Sequence, residues 1–452
     1  MLMRADTADV VFENLRRKEF SRLDERGIAY LDFAASALYG ASQVAEYSNK
    51  LLQGVFGNPH SEHGPSKASE ADLECARAAT LQFFDADPGV YDVCFTANTS
   101  MAIKLVAESY PFGPNKGLIL SADNHNSMNG IREYARAAGA PSCVLPLSDD
   151  LRLMNPGEYA TEFARSHGPG LFGFPAQSNF SGVKHSLDLV AQVQRLGYDV
   201  LLDAAGLGCG NVISLQRYPA EFLVFSFYKL FGLPTGVGAL VARRDALKRL
   251  KRPWFAGGTV DFVSIEHDRH QLRAGHSAFE DGTPNFLNLG AIEAGFDFVS
   301  NIDRSALALR LDRLTAQFIK RARTLIRSDG TPLVRLYGPA SMDGRGATVA
   351  FNLLQSDGST IAYQSVETRS REMGVAVRGG CFCNPGAAES AFNFRQLDLA
   401  HSLDALKDGF TPDRLRTRLG HGATVGAIRL SIGLPTIEAD IDRALQVVES
   451  FG

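Results

Sequence analysis

Short hydrophobic, β-branched runs alternate with longer helix-like stretches between about residues 91 and 300. In one such stretch, 187–196, apolar residues recur at roughly helical spacing. The pattern predicts strands at 92–96, 117–121, 170–174, 198–203, 222–226 and 236–242 and helices at 99–109, 127–138 and 187–196. Strands that alternate with helices are typical of βαβ units, so we expect a layered α/β domain with a mainly parallel sheet.

The pattern changes beyond about residue 300. It predicts a Leu- and Arg-rich helix at 304–327, β-like runs at 347–353 and 375–378, and a closing helix at 437–450. These elements indicate a second, smaller α+β domain. We therefore expect a large domain over residues 30–300 and a small domain built from residues 1–29 together with 301–452.

Composition narrows the functional classes. The 452 residues include 45% hydrophobic and 21% charged residues, and 46 Lys plus Arg against 50 Asp plus Glu give a net charge of −4. This balance disfavours a nucleic-acid-binding role. The first 27 residues are charged throughout, and the apolar runs are too short to span a bilayer. Six cysteines are too sparse for a disulfide scaffold. We therefore expect a cytoplasmic protein that binds neither nucleic acid nor a membrane.

An acid and an amine follow neighbouring predicted strands. Asp203 ends the run YDVLLDAA at 198–205, and Lys229 lies in SFYK at 226–229. Ligands of open α/β sheets bind outside the carboxyl ends of the strands, so both side chains should face one crevice. This pair suits pyridoxal 5′-phosphate, because a carboxylate pairs with the protonated ring nitrogen and a lysine forms the Schiff base. Considered alone, Asp203 could equally be a capping or ion-pairing residue, and Lys229 could be an ordinary charge exposed to solvent.

Three further loops carry candidate ligands at the same edge. Thr99 and Ser100 open the helix predicted at 99–109, where free N–H groups and hydroxyls would bind a phosphate. His125, in ADNHNSMNG, could stack on a flat ring, and Asn179, in PAQSNFSG, could hydrogen-bond a ring hydroxyl. Each also has an ordinary structural interpretation. Thr99 and Ser100 could belong to a helix N-cap, His125 could be a hydrogen-bonded loop histidine, and Asn179 could be a turn asparagine.

Strings along nearly the whole chain resemble class V, fold-type I enzymes that use pyridoxal 5′-phosphate. Within that class, they resemble the cysteine desulfurase-like N-terminal domain of the molybdenum cofactor sulfurases. The strings are YLDFAASALY at 30–39, GNPHSEHG at 57–64, DNHNSMNGIREYA at 123–135, PAQSNFSG at 175–182, LLDAA at 201–205, SFYKLFGLPTGVGALV at 226–241, FAGGTV at 255–260, FEDGTPNFLN at 279–288 and GGCFCNPGA at 379–387. Two positions depart from family patterns. Ala388 replaces a cysteine frequent in the sulfurases, and Tyr228, as in the sulfurases, replaces a histidine found in most class V enzymes.

The resemblance implies a role for each matched residue. Around the ring, Lys229 would form the Schiff base, Asp203 would pair with the ring nitrogen, His125 would stack on the ring and Asn179 would lie near the ring oxygen. The phosphate would be surrounded by Thr99, Ser100 and Ser226, and Thr283 would reach the phosphate of the other subunit. For the substrate, Arg429 would hold the carboxylate and Arg378 would be a second active-site arginine. The role of Thr283 implies a homodimer.

The string CFCNPGA supplies a candidate sulfur acceptor. The resemblance places a persulfide cysteine at Cys383, and the nearby Arg378 would favour its thiolate. Glycines around it would permit a mobile or exposed loop. Cys381 is a candidate resolving or relay thiol. An inert buried thiol is the other reading of Cys383, whereas no second cysteine pair would complete a zinc site, so no metal is expected.

We therefore expect a cysteine desulfurase or sulfurtransferase that converts L-cysteine to L-alanine and leaves a persulfide on Cys383. The sulfur would then pass to an acceptor protein or cofactor that the sequence does not identify. The cofactor residues equally suit a β-lyase, epimerase or decarboxylase acting on another amino acid. A non-catalytic sulfur carrier is a further alternative, which the intact Lys229, Asp203 and His125 disfavour.

Overall fold

The computed structural model describes residues 5–394, 399–406, 409, 411–420 and 423–452. Its strands are β1 Ala29–Tyr30, β2 Tyr91–Thr96, β3 Leu118–Ser121, β4 Ser142–Leu145, β5 Leu171–Pro175, β6 Asp199–Asp203, β7 Phe222–Ser226, β8 Gly238–Arg243, β9 Val260–Ser264, β10 Arg269–Leu272, β11 Val334–Tyr337, β12 Thr348–Leu353, β13 Val375–Ala376, β14 Arg378–Gly380 and β15 Ala427–Ser431.

Helices separate most of these strands. They are α1 Ala5–Glu19, α2 Arg22–Glu25, α3 Ala41–Gln53, α4 Gly64–Phe83, α5 Thr99–Ser109, α6 Asn126–Asn129, α7 Ile131–Ala137, α8 Pro156–His167, α9 Asp188–Gln194, α10 Phe227–Phe231, α11 Arg244–Arg249, α12 Phe286–Ser300, α13 Arg304–Ala322, α14 Tyr363–Glu372, α15 Pro385–Ala391, α16 Leu399–Leu406, α17 Pro412–Leu419 and α18 Glu438–Glu449, with a 3₁₀ helix at Gly275–Phe279. None of the helices described is long and apolar enough to cross a membrane.

The larger sheet has seven strands in the order β2-β8-β7-β6-β5-β3-β4. Only β8 runs opposite to its neighbours, which confirms the mainly parallel α/β sheet expected from the sequence. Alternate residues enter different cores: Val200 and Leu202 of β6 pack on one face and Leu201 on the other. Because both faces are buried, these strands read as continuous hydrophobic runs. The short edge strand β4, with half of its side chains exposed, escaped prediction.

A second, antiparallel sheet has the order β11-β12-β15-β14. Helices α13 and α18 pack beside it, with Phe318 and Leu445 in the same buried cluster as Ile428 of β15. The N-terminal segment joins this region, since Arg16 forms ion pairs with Asp24 at 2.7 Å and Asp440 at 2.5 Å. The first four residues of the segment 1–29 and several between 395 and 422 lie outside the described residues, and the division into domains at 30 and 300 stays a prediction.

Several element boundaries differ from the expected ones. The helix expected at 127–138 is two helices, which meet at Gly130. The helix expected at 304–327 ends at Ala322, because the chain then forms a turn in which Ile326 bridges Pro332. The strand β15 was not predicted, since its short sequence AIRLS has the charged Arg429 at its centre.

Candidate active site

One pocket collects the side chains that follow the strands of the larger sheet. Asp203 ends β6, Lys229 lies on the short helix directly after β7, and His125 lies in the loop after β3. All three line the same pocket. They come together because the carboxyl ends of parallel strands lie at one edge of a sheet.

Burial shapes the charges of these groups. Asp203 is 6% exposed, and burial raises its pKa against the opposing effects of the Ala205 N–H, which donates to Oδ1 at 2.9 Å, and of Lys229 and His125. Burial also lowers the pKa of Lys229, opposed by Asp203. The pocket therefore favours a neutral Lys229 amine, the form that is nucleophilic. It also holds a carboxylate that gains from a cationic ligand nearby.

His125 is fixed in one orientation. Its Nδ1 accepts a hydrogen bond from the backbone N–H of Ser127 at 3.1 Å and lies 3.1 Å from the Ser127 hydroxyl. Burial lowers the pKa of His125, so the ring is neutral at pH 7. With Nδ1 accepting, we assign its proton to Nε2. A flat, uncharged ring thus forms part of the pocket wall.

Hydroxyl groups cluster at the first turn of α5. Ser226 Oγ accepts from the backbone N–H of Thr99 at 2.9 Å and lies 2.6 Å from Thr99 Oγ1. Ser100 Oγ lies 2.6 Å from Ser127 Oγ. All four residues line the pocket at a helix N-terminus, where N–H groups and the helix dipole favour an anion. A phosphate would accept hydrogen bonds that these hydroxyls now exchange with one another.

Two arginines on paired residues of neighbouring strands adjoin the pocket at Asn179, and we call this place the arginine end of the pocket. Arg378 of β14 is the register partner of Arg429 of β15. Arg429 is 2% exposed, and its Nη1 donates to the carbonyl of Asn179 at 3.0 Å. Both guanidinium groups also donate to Asp32, which sequence reasoning did not single out. Its only sequence signal is its place in YLDFAASALY.

The cysteine loop, residues 381–384, lies against the loops of the larger sheet. Cys383 is exposed, and both it and Phe382 have left-handed backbones with φ of 55° and 56°. The backbone N–H of Asn126 donates to the Cys383 carbonyl at 2.7 Å, and Asn179 Nδ2 donates to the Phe382 carbonyl at 2.7 Å. The thiol is therefore accessible, as expected, while its backbone is tied down.

Asn384 adds a second attachment, which sequence reasoning missed. Its Nδ2 donates to Asp123 Oδ1 at 2.8 Å and to Asn179 Oδ1 at 3.0 Å. Asp123 also accepts from Ser178 Oγ at 2.6 Å and lies 2.8 Å from His185 Nε2. All of these groups except Asn179 are buried. The network joins the cysteine loop to the loops after β3 and β5.

The two cysteines of the loop differ in environment. The Cys381 sulfur lies 3.4 Å from the Val425 carbonyl, and burial, with a smaller effect of Cys383, raises its pKa to about 11. Cys381 is thus a protonated thiol at neutral pH. Cys383, two residues later, is the exposed sulfur of the loop.

Thr283 does not line this pocket in a single chain. It is exposed, and Asn58 Nδ2 donates to its hydroxyl at 3.4 Å. Within one subunit it therefore stays apart from the other candidate phosphate residues. No group of three or more His, Cys, Asp or Glu with metal-binding geometry occurs among the described residues.

Comparison with known proteins gives a family and several relatives. Residues 29–444 match the family described as Aminotransferase class-V. The chain is 33% identical over 491 residues to molybdenum cofactor sulfurase of Arabidopsis thaliana, covering 97% of this chain and 58% of that protein. It is 35% identical over 471 residues to that of Solanum lycopersicum, covering 97% and 57%. The chain spans somewhat more than half the length of these curated relatives.

Solved structures share the fold. A cysteine desulfurase from Thermococcus onnurineus has a TM-score of 0.79 at 21% identity, with 97% of each chain covered. The cysteine desulfurase CsdA from Escherichia coli has a TM-score of 0.75 at 20% identity, covering 100% of this chain and 98% of that one. Near-complete coverage extends the likeness over both sheets.

Proposed function

Because the chain belongs to the class-V aminotransferase family, we propose that it is a pyridoxal 5′-phosphate-dependent cysteine desulfurase that converts L-cysteine to L-alanine and carries the sulfur on Cys383. One observation carries this proposal. The exposed Cys383 is tied to two loops that line the pocket: the backbone N–H of Asn126, next to His125, donates to the Cys383 carbonyl at 2.7 Å, and Asn179, whose carbonyl accepts from Arg429, donates to the Phe382 carbonyl at 2.7 Å. A sulfur nucleophile would therefore lie beside both the cofactor pocket and the candidate carboxylate site.

The chemistry of the pocket fits the cofactor, which members of this family use. Asp203 would pair with the ring nitrogen, Lys229 would hold the aldehyde carbon covalently, and His125 would pack on the ring. The hydroxyls and N–H groups at the start of α5 would hold the phosphate. When bound, the ring accepts the electron pair released when a bond to the substrate α-carbon breaks. Asp203 would hold the ring nitrogen in its protonated form, which makes the ring a better acceptor of that electron pair.

Substrate binding would use the arginine end of the pocket. Arg429 has a buried Nε–H that finds no hydrogen-bond partner among the described residues. A buried donor without a partner is costly, and a substrate carboxylate would satisfy it. Placing the carboxylate there would direct the side chain of L-cysteine toward the cysteine loop.

Proton and sulfur transfer would then involve different residues. The Lys229 amine, once released, would remove the α-proton of the substrate and later return a proton to the product. The Cys383 thiolate would attack the substrate sulfur, forming a sulfur–sulfur bond as the carbon–sulfur bond breaks. The carbon skeleton would leave as L-alanine, and Cys383 would hold a persulfide. The balance is one L-cysteine and one thiol consumed for one L-alanine and one persulfide formed.

A homodimer completes the proposal. Thr283 is exposed and lies outside its own pocket, and in the proposed dimer its hydroxyl would reach the phosphate site of the second subunit. The six cysteines are all free thiols, which supports a reducing, cytoplasmic location. Sulfur would finally pass to an acceptor protein or cofactor.

The test is a product assay on purified protein loaded with pyridoxal 5′-phosphate and incubated with L-cysteine. We expect alanine in the reaction and a mass increase of one sulfur atom on the peptide that contains Cys383. Pyruvate without a persulfide would refute desulfuration and indicate a β-lyase. A lack of turnover of L-cysteine would also refute it.

A further inference from the structure

Asp32 lies between Arg378 and Arg429 at the arginine end of the pocket, and the proposed reaction assigns it no role. It follows β1 and forms a bridge with Ser431, the last residue of β15. Asp32 is only 8% exposed. A buried carboxylate between two guanidinium groups uses some of their N–H donors, so fewer donors remain to bind a ligand.

The main contact of Asp32 is with one edge of Arg378. Nε and Nη2 of Arg378 donate to Asp32 Oδ2 at 3.0 and 2.8 Å, and Nε also lies 3.3 Å from Oδ1. These two nitrogens form an edge with which arginine binds carboxylates in pairs of hydrogen bonds. The Arg378 side chain is 51% exposed, so an entering acid would otherwise reach that edge. Asp32 already occupies it.

Arg429 is engaged less completely. Only its Nη2 donates to Asp32, at 3.1 Å, while Nη1 donates to the Asn179 carbonyl at 3.0 Å. Its buried Nε–H is the donor that no described residue satisfies. Asp32 therefore leaves Arg429 able to bind one carboxylate but withholds Arg378 from a second.

The formal charges agree with this division. Two guanidinium groups and one carboxylate give this end of the pocket a net charge of +1, which one substrate carboxylate neutralises. We propose that Asp32 is a specificity-determining residue. It restricts the pocket to amino acids with a single carboxylate and disfavours those with an acidic side chain, such as L-aspartate or L-cysteine sulfinate. The proposal rests on the proposed function, in which Arg429 binds the substrate carboxylate.

The Asp32→Asn variant tests the charge with little change of shape. It raises the net charge of this end to +2 and weakens the hold on the Arg378 edge. Titration calorimetry of the cofactor-loaded enzyme with L-alanine and with L-aspartate would give two dissociation constants. We expect their ratio to shift toward L-aspartate by about tenfold or more, a typical effect of a buried charge on ligand choice. An unchanged ratio, or a lack of binding of either amino acid to either protein, would overturn the proposal.

Two further variants keep the result interpretable. Asp92→Asn is the matched control, because Asp92 is another buried carboxylate, bound by Arg244 and His276 near the start of β2 and away from the pocket. Its ratio should stay at the wild-type value. If Asp32→Asn does not fold, Arg378→Gln, altered at a half-exposed side chain, should move the ratio away from L-aspartate. A shift in the other direction would contradict the assignment.

This measurement separates the two proposals. A wild-type enzyme that forms no alanine from L-cysteine would refute desulfuration, yet the ratio in Asp32→Asn would still report on Asp32. Conversely, alanine formation with an unchanged ratio would leave desulfuration intact and remove the role of Asp32.

Discussion

The cofactor wall, made of His125, Asp203 and Lys229, lines the pocket, and the cysteine loop packs against the loops around it. The two are held in largely different ways. The wall residues follow strands whose two faces are packed in hydrophobic cores. The cysteine loop has a left-handed backbone at Phe382 and Cys383, and Cys383 is exposed. Side-chain amides and one backbone N–H hold the loop, and Phe382 packs in a smaller hydrophobic cluster with Phe180.

This difference separates two kinds of function. The groups proposed to bind the cofactor are positioned by the same hydrophobic cores that stabilise the sheet. The group proposed to select the reaction lies on a loop held by a few hydrogen bonds, each worth about 1 kcal/mol, and by the packing of Phe382 in a small cluster. Substitutions in the loop should therefore remove sulfur transfer without loss of the cofactor, whereas substitutions in the wall should affect both.

The largest effect is expected for Lys229→Ala. Without the amine, the enzyme loses its covalent attachment to the cofactor and its general base, so alanine formation should fall by at least about 10⁴-fold. The visible absorption band of the cofactor bound to Lys229 should be absent from the spectrum of this variant. Lys184→Ala is the matched control, since burial also lowers the pKa of Lys184, which does not line this pocket. A retained band in Lys229→Ala would contradict the assignment.

Cys383→Ser should separate the loop from the wall. We expect the cofactor absorption band to remain and alanine formation to fall by about 10³-fold, because a hydroxyl is a far weaker nucleophile than a thiolate at neutral pH. Mass spectrometry should find no persulfide on the peptide. Cys381→Ser, altered at the partly buried cysteine, should keep the persulfide. A persulfide in Cys383→Ser would remove Cys383 from the mechanism.

The two cysteines should also differ in their reaction with iodoacetamide. Burial raises the pKa of Cys381 to about 11, so below that pH the group is mostly a protonated thiol and gains reactivity as pH rises. At pH 8 it should react about 100-fold more slowly than an ordinary exposed thiol. Peptide mass spectrometry over pH 7 to 10 would follow both sites. Equal reaction rates at Cys381 and Cys383 would show that Cys381 is not protected by burial.

The smallest effect concerns the attachment of the loop. Asn384→Ala removes the hydrogen bonds to Asp123 and Asn179. It also removes the cap of α15, where Asn384 Oδ1 accepts from the Ala387 N–H at 3.2 Å, but it leaves Cys383 and the wall residues unchanged. We expect persulfide formation to slow by about tenfold, with the cofactor band and the KM for L-cysteine unchanged. Asn129→Ala is the control, since the Asn129 side-chain amide donates to the Asn124 carbonyl and not to the cysteine loop. Loss of the cofactor band in Asn384→Ala would show that the loop and the wall are one unit.

Sequence patterns predicted six of the seven strands of the main sheet and the position of Asp203 and Lys229 at one edge of it. Its central strands are buried on both faces, so they appear as hydrophobic runs in the sequence. Asp203 is the last residue of β6, and Lys229 lies three residues after the end of β7. A polar residue at the end of such a run can be placed at the sheet edge without knowledge of any distant contact.

The contacts at the arginine end of the pocket could not be predicted from such local patterns. Asp32 meets its partners Arg378 and Arg429 across 346 and 397 residues of chain, and Asn384 meets Asp123 across 261. No local periodicity encodes such pairs. They form only when the antiparallel sheet packs against the loops of the parallel one, because a hydrogen bond depends on the position of both partners to within a fraction of an ångström.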